Sequence, residues 1–328
     1  VGAFIEIVLS RFLHVLKGII TPVVTGTVVM LIGLSLVKVG ITDMAGGQWL
    51  LDNKPQFFGT FNNLGLGVLV LIVVLILNRS KNPMIRMGSI VGGILIGYLA
   101  ALALGKVNFG HMSGVDFISI PMPFKYGFDF NWPAFIGVAF IYVITTIEST
   151  GDLTATSMLS GEPVEGDKYM ERIKGGVLGD GINSAIAAIF NTFPNTTFSQ
   201  NNGVIQMTGV ASRFVGMYLA VFLVILGLFP AIGGFFRSLP NPVLGGATIV
   251  MFGTVAAAGV NIIASMGRLG RREILIIAVS LGIGLGLAFV PEVLSQTPKA
   301  IQQIFGSAIT SGGLSALILN LVLPKSGS

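Results

Sequence analysis

Apolar segments long enough to cross a membrane follow one another along this sequence, and they constrain its fold more than any other feature. A helix needs about 20 apolar residues to span the hydrocarbon core of a bilayer, and only 10% of the 328 residues are charged. The mean hydropathy of +0.87 requires that much of the chain faces lipid or the inside of a helix bundle. We therefore predict an all-α polytopic membrane protein, with a partial span at 1–8 and full spans at 22–41, 64–77, 89–104, 133–153, 176–190, 203–216, 218–235, 242–263, 274–290 and 305–323.

The Lys and Arg residues between these segments predict their orientation. When the loops are assigned to alternate sides, one side receives 13 of the 19 basic residues and the other receives 6. Cytoplasmic loops carry the excess of Lys and Arg, so the larger set and the C-terminus are predicted to be cytoplasmic. These charges are spread over short loops, which argues against a nucleic-acid partner.

Two parts of the sequence match at a constant offset of 220 residues. If they are repeats, the three spans of 22–104 correspond to those of 242–323, which follow four other spans. Each half would then have seven spans, and an odd number makes the two halves insert with opposite orientation, as in many secondary transporters. We therefore expect a 7+7 inverted-repeat transporter fold in which about four N-terminal spans precede this sequence. The matching residues are Pro22, Val23, Gly26, Gly33 and Gly92–Gly93, which recur as Pro242, Val243, Gly246, Gly253 and Gly312–Gly313.

Three carboxylates lie inside predicted spans, where charges are costly and usually functional. Glu148 and Asp152 are four residues apart and share one helix face, and Asp180 lies in the next span. Burial disfavours the charged form of a carboxyl group, so such groups can bind and release a proton, as proton coupling requires. Each also has a structural interpretation: a tie to a neighbouring helix for Glu148, a cap or support for Asp152, and packing for Asp180.

The segment 191–209 is too polar and irregular to form a continuous lipid-facing helix. Pro194 breaks a helix, and Asn and Thr residues crowd the segment. We expect a broken helix with a short strand near 196–199, followed by a helix that restarts near Asn201 or Gly203. Non-helical backbone at membrane depth is tolerated only where it is buried in protein or lines a cavity. The pattern therefore predicts a polar ligand site, with a re-entrant structural loop as the alternative.

The groups in this region suit a neutral polar ligand. A carboxylate, the amide of Gln200 with its donors and acceptor, and free backbone groups would fit a planar heterocycle such as a purine-dione. The region contains no Arg, which argues against a carboxylate, phosphate or sulfate ligand. An enzyme would need a nucleophile–base pair or a metal cluster. The sequence has no Cys and only two, widely separated His residues, so we expect neither an enzyme nor a metal or cofactor.

The stretch from Gln200 to Gly209, QNNGVIQMTG, resembles the signature motif of the nucleobase–ascorbate (nucleobase–cation symporter-2) transporters. That motif reads Gln or Glu, Asn, any residue, Gly, four residues of any type, Thr, and a variable residue. The stretch from Glu148 to Asp152 and the triplet Gly179–Gly181 also resemble this family. The similarity runs through essentially the whole chain and is most pronounced with bacterial xanthine permeases.

The resemblance implies proton-coupled uptake of xanthine across the bacterial inner membrane. By resemblance, Glu148 and Gln200 hydrogen-bond the base, and the backbone at Phe198 and Ser199 adds further contacts. Gln at position 200 is typical of the members that carry purine-diones, whereas uracil permeases tend to have Glu there.

Other residues receive supporting roles from the same resemblance. Asp152 and Asp180 match acidic positions that are needed for transport and that serve proton coupling. Asn201 matches a motif residue that supports the site. Thr208 and Gly209 lie where the family tunes its specificity.

The resemblance also implies a core domain and a gate domain. Residues 133–238 would be the second half of the core, residues 22–105 and 242–324 would form the gate, and residues 1–21 would be the stub of a preceding span with its linker. The absent N-terminal spans would include a strand that pairs with the 196–199 piece. Contact with membrane lipid follows from the fold, and a homodimer through the gate domain follows by analogy.

Two alternatives stay open on the sequence alone. The substrate could be urate or another purine or nucleobase, and, in a different class, the chain could be a membrane protein that does not transport. Competition with a panel of purines separates the substrates, and a proton flux that depends on added xanthine separates the classes.

Overall fold

The computed structural model describes residues 2–13, 21–108, 110, 116–163, 166–198, 201, 205, 209–264 and 266–324. These residues form helices and connecting segments without a strand, which confirms the prediction of an all-α polytopic protein. Within these ranges five helices are long and apolar enough to cross a membrane, and a sixth span results if one bent helix pair is counted as a single crossing. The five are Pro22–Met44, Phe61–Asn78, Trp132–Leu159, Asn241–Ala264 and Arg271–Phe289.

Local signals in the sequence explain where several of the helices begin. The side chains of Asn82 and Asn131 accept hydrogen bonds from backbone N–H groups of the first turn, and a proline occupies an early position of both helices. The described helices are, in chain order, α1 (Ala3–Leu9), α2 (Pro22–Met44), α3 (Gln48–Asn53), α4 (Phe61–Asn78), α5 (Pro83–Met87), α6 (Ser89–Ala103), α7 (Trp132–Leu159), α8 (Asp167–Ile189), α9 (Arg213–Gly227), α10 (Pro230–Arg237), α11 (Asn241–Ala264), α12 (Arg271–Phe289), α13 (Lys299–Phe305) and α14 (Ala308–Val322).

Two predicted spans, 203–216 and 218–235, are wrong in their boundaries. Residues 209–212 are not helical, and α9 begins at Arg213 and continues through both predicted boundaries to Gly227. The chain then turns by 80° into α10. Pro230 explains the break, because proline lacks a backbone N–H and disfavours a helical conformation in the residue before it. That residue, Phe229, has φ −107° and ψ 90°.

The break predicted after α8 is confirmed, but the strand predicted near 196–199 is not formed in the part that the structure describes. Helix α8 ends where Asn191 adopts a left-handed conformation with φ 62°. The N–H groups of Asn191 and Thr192 donate to the carbonyls of Ala188 and Ala187, a common way to close a helix. Residues 192–198 are irregular, and Ser199 lies outside the described residues. An extended segment becomes a strand only beside a partner strand, and the described residues supply none.

The chain divides into two compact units, and the division falls within α2 and α11. The first unit comprises Val1–Ser35, Met122–Ala211 and Val255–Ser328, and the second comprises Leu36–Pro121 and Ser212–Thr254.

In the first unit, small residues allow close helix contacts. Gly33 of α2 lies so near Ala256 of α11 that a Cβ at Gly33 would collide with the backbone there. A Cβ at Gly284 of α12 would lie 3.1 Å from the Cα of Gly312 in α14. Such contacts are characteristic of membrane helices, whose association depends on close packing.

An arginine joins the ends of α12 and α14 in the same unit. Arg272, in the first turn of α12, donates to the carbonyl of Leu323 (3.2 Å), and to the carbonyl (2.6 Å) and side-chain oxygen (2.9 Å) of Asn320. A helix C-terminus presents unpaired carbonyls and attracts cations. The guanidinium therefore closes the end of α14.

The second unit has its own apolar core and its own polar network. Asn63, which is 8% exposed, donates to the carbonyls of Ala45 (3.1 Å) and Phe57 (3.2 Å) and accepts from the ammonium group of Lys106 (2.8 Å). This network fixes the connection between α3 and α4. The core beneath it consists of Leu66, Val70, Val74, Ala101, Val243 and Ala247.

Candidate functional site

The acidic residues that the sequence singled out lie on two neighbouring helices of the first unit. Glu148 and Asp152 belong to α7, and Asp180 belongs to α8. All three side chains are partly buried. The carboxyl group of Glu148 interacts electrostatically with those of Asp152 and Asp180. The packing of α7 against α8 thus brings the three predicted carboxylates into one acidic cluster.

Hydroxyl groups connect this acidic cluster to the irregular segment 192–198. The hydroxyl of Ser149, which is fully buried, donates to Oδ2 of Asp180 at 2.8 Å. The hydroxyl of Thr197 donates to Oδ2 of Asp152 at 2.7 Å, and the two hydroxyl oxygens lie 3.4 Å apart. Asp180, Ser149, Thr197 and Asp152 therefore lie in one polar series, in which each hydroxyl donates to a carboxylate and the two hydroxyls are neighbours; we call this series the hydroxyl relay.

A second contact fixes the irregular segment to α8. The hydroxyl of Ser184 donates to the carbonyl of Asn195 (3.1 Å) and accepts from the N–H of the same residue (3.0 Å). The neighbouring hydroxyl of Thr196 is buried and has no hydrogen-bond partner among the described residues. Buried polar groups in proteins are normally paired, so this segment presents hydrogen-bonding capacity that the described residues leave unused.

The structure describes some of the other predicted site residues and not the rest. The side chain of Phe198 is exposed at the end of the irregular segment, and its carbonyl accepts from the N–H of Asn201 at 3.0 Å. Asn201 is helical, as predicted for a restarted helix. Gly209 has φ +68°, a left-handed conformation that favours glycine, and its N–H donates to the carbonyl of Ile205. Three predicted residues lie outside the described part of the chain: Ser199, Gln200 and Thr208.

Sequence reasoning overlooked four residues that the structure places at or beside the acidic cluster: Glu6, Ser149, Ser184 and Thr197. The signal for Glu6 was available, because it is a lone charge in the apolar stretch AFIEIVL, and charges inside spans are usually functional. Ser149 directly follows Glu148 and lies three residues before Asp152, which places it on the same helix face as that carboxylate. The roles of Ser184 and Thr197 depend on contacts between distant segments and have no local signal.

Comparison with known proteins places the chain in a family. The family model described as "Permease family" matches residues 1–293. Xanthine permease XanQ of Escherichia coli K12 is 51% identical over 324 residues, covering 99% of this chain and 69% of that protein. Xanthine permease XanP of the same organism is 47% identical, covering 97% and 68%. Uric acid permease PucJ of Bacillus subtilis 168 is 37% identical, covering 98% and 70%.

These matches agree with the motif at 200–209 and with the apolar helices, and they favour a transporter over an enzyme. The chain is a multi-pass membrane protein that belongs to this permease family, the nucleobase–cation symporter-2 family.

Proposed function

We propose that this protein takes up xanthine in symport with protons across the bacterial inner membrane. The observation that carries the proposal is the 51% identity to a xanthine permease over 99% of the chain. The acidic cluster supports the proton component, because carboxyl groups inside a membrane protein are costly unless they serve a function.

We infer that Glu148 and Gln200 hydrogen-bond the purine and that the backbone at Phe198 and Ser199 adds contacts. Among the described residues, Asp152 and Asp180 each accept a hydrogen bond from a hydroxyl group, whereas the carboxyl of Glu148 accepts none. No described residue occupies the lone pairs of Glu148, and such lone pairs suit the N–H groups of a purine-dione. This difference supports the choice of Glu148 as the substrate ligand.

The supporting roles complete this proposal. Asp152 and Asp180 take part in proton coupling, and the hydroxyl relay that joins them gives this assignment a physical basis. Asn201 supports the irregular segment through its contact with Phe198. Thr208 and Gly209 tune specificity.

We further propose the arrangement of a core and a gate that secondary transporters of this kind use. Residues 133–238 belong to the core, residues 22–105 and 242–324 form the gate, and an inverted repeat relates 22–104 to 242–323. The C-terminus is cytoplasmic. Val91, Leu95 and Leu99 form an exposed apolar stripe on α6. Their spacing of four residues places them on one helix face, which suits lipid or a second gate domain in a homodimer.

The test of the proposal is xanthine uptake by protein reconstituted into liposomes under an imposed pH gradient. Wild-type protein should accumulate radiolabelled xanthine and admit protons when xanthine is added. Glu148→Gln should lower accumulation by about 10- to 150-fold, because a hydrogen bond to a charged group contributes roughly 1.5–3 kcal/mol. The matched control is Glu292→Gln, since Glu292 is an exposed carboxylate on a short turn.

Two outcomes would contradict the proposal in different ways. Near-normal accumulation by Glu148→Gln would remove this residue from the substrate site while leaving the transport assignment in place. Absence of xanthine-dependent proton entry in the wild type would refute symport, and absence of any uptake would favour the reading as a non-transporting membrane protein.

A second candidate substrate is urate, which the 37% identity to a uric acid permease favours. A panel of purines competing with labelled xanthine decides between the two. Stronger inhibition by urate than by unlabelled xanthine would reassign the substrate.

A further inference from the structure

Glu6 is a buried carboxylate that the proposed function has not used. Its side chain has no exposed surface, and neither carboxyl oxygen has a hydrogen-bond partner among the described residues. The ion pairs of the described residues involve Arg172 and Arg272, and neither arginine is paired with Glu6. A carboxylate that is ionised and unpaired in such a place costs several kcal/mol, so its retention requires an explanation.

Helix α1, which carries Glu6, packs closely against α7 and α8. A Cβ at Gly181 would lie 2.9 Å from Cγ1 and 3.0 Å from the backbone nitrogen of Ile7. A Cβ at Gly2 would lie 2.7 Å from the ring of Tyr142 on α7. Two glycines therefore permit the close approach of α1 to α7 and α8.

Asp180, one end of the hydroxyl relay, directly precedes Gly181 on α8. The carboxyl groups of Glu6 and Asp180 interact electrostatically. Among the described residues, the phenol of Tyr142 on α7 also interacts electrostatically with Glu6. Two neighbouring ionised carboxylates repel each other, and the described residues pair no cation with Glu6. The pair is therefore stable with one negative charge or none.

We propose that Glu6 and Asp180 act as one carboxyl pair that binds the transported proton, and that Glu6 is a further residue of proton coupling. The inference rests on the proposed function as a proton symporter. A proton that enters from water converts the singly charged pair to the neutral pair, and its release restores the single charge. The two protonation steps belong to the pair and not to either residue.

The hydroxyl relay connects this pair to the substrate side of the site. Ser149 donates to Asp180, and Thr197 lies between Ser149 and Asp152. The charge of the Glu6–Asp180 pair decides how strongly Asp180 attracts the Ser149 proton. The Ser149 oxygen lies 3.4 Å from the hydroxyl of Thr197 in the irregular segment, so protonation of the pair changes the polarity next to the segment that we propose to contact the substrate.

The experiment compares wild type, Glu6→Gln and Glu171→Gln in liposomes. Glu171 is an exposed carboxylate on α8, the helix that also carries Asp180, and it serves as the matched control. Three quantities are measured over a range of pH: xanthine binding, xanthine counterflow without a pH gradient, and xanthine accumulation driven by a pH gradient.

Glu6→Gln should retain binding and counterflow and lose at least tenfold in accumulation, and its binding should depend less on pH than that of wild type. Accumulation and a pH profile equal to those of wild type would overturn the role of Glu6. If wild type and Glu171→Gln bind and exchange xanthine but also show no accumulation driven by the pH gradient, the symport proposal fails, and the coupling role of Glu6 fails with it.

If Glu6→Gln does not fold, Glu6→Asp provides a second test of the carboxyl pair. It retains an ionisable carboxyl group on a side chain that is shorter by one methylene. Accumulation that persists with a displaced pH profile supports the carboxyl pair. A folded Glu6→Asp protein with the wild-type pH profile overturns it, because changing the distance within a coupled pair must change its protonation.

Discussion

Ser149→Ala is the most direct test of the hydroxyl relay. The substitution removes one hydroxyl group and leaves the backbone and Cβ in place. Ser149 is fully buried and donates to Oδ2 of Asp180 at 2.8 Å, so water cannot easily replace it. The carboxyl group of Asp180 would lose the donor that fixes its orientation.

The size of the effect follows from that hydrogen bond. A hydrogen bond to a charged group contributes roughly 1.5–3 kcal/mol, and each 1.4 kcal/mol corresponds to about a tenfold change in an equilibrium or rate constant. If the Asp180 geometry is needed for transport, the ratio of maximal rate to KM for xanthine should fall by about 10- to 150-fold. Initial rates of labelled xanthine uptake at several concentrations, in liposomes, measure this ratio.

Thr146→Val is the matched control, since Thr146 lies on α7 and is as fully buried as Ser149. Its hydroxyl donates to the carbonyl of Tyr142 within the same helix, and that carbonyl also accepts a helical N–H bond. Thr146→Val should therefore transport at close to the wild-type rate.

A double-mutant cycle separates positioning from general destabilisation. In an Asp180→Asn background, Ser149→Ala should have a much smaller effect, because the group it positions has been changed. If Ser149→Ala alone transports as wild type does, with unchanged thermal stability, the relay has no role and the reasoning is refuted. An equal loss in both backgrounds would show that Ser149 acts independently of Asp180.

Two further predictions concern packing and the second unit. Gly181→Ala should destabilise the contact between α1 and α8 by about 1–3 kcal/mol, because a Cβ there would lie 3.0 Å from the Ile7 nitrogen. The thermal midpoint in detergent measures the effect, and Gly175→Ala, where the space is open, is the control. Equal midpoints for the two variants would contradict the prediction. Lys106→Met should cost about 1–2 kcal/mol of stability by leaving the buried Asn63 oxygen without its donor, and an unchanged midpoint would show that the bond is dispensable. Burial lowers the pKa of Lys106 below its usual 10.5, so the unfolded chain binds more protons just under that pH, and wild-type stability relative to Lys106→Met should rise as the pH rises through this range.

The parts of the fold that depend on local composition could be predicted from the sequence. The spans around 64–77 and 242–263 correspond to α4 and α11 within a few residues, because a long apolar stretch in a polytopic protein has few alternatives to a helix. The break before Pro194 was also predictable from its turn-forming residues. The break at Pro230 was not predicted, because the residues on both sides of the proline are apolar and fit one continuous span.

The parts of the site that depend on tertiary contacts could not be predicted in this way. Glu148, Asp152 and Asp180 were identifiable as charges inside apolar segments. The hydrogen bonds that organise them join residues 31 and 45 positions apart in sequence, and only the packing of α7 and α8 brings such residues together. Glu6 was visible as a lone charge in an apolar stretch, but the packing of α1 against α8 was not.

The arginine that joins α12 to α14 has a consequence for how the protein is made. Arg272 is one of the basic residues that predict the cytoplasmic side, and its side chain binds oxygens 48 and 51 positions further along the chain. While the ribosome is still adding those residues, the guanidinium is free to interact with water and anionic headgroups, as an orienting charge requires. Once α14 is in place, the same group donates to oxygens of Asn320 and Leu323. The predicted orienting charge and the observed link between two helix ends thus belong to one side chain, which can act in these two ways at successive stages of insertion.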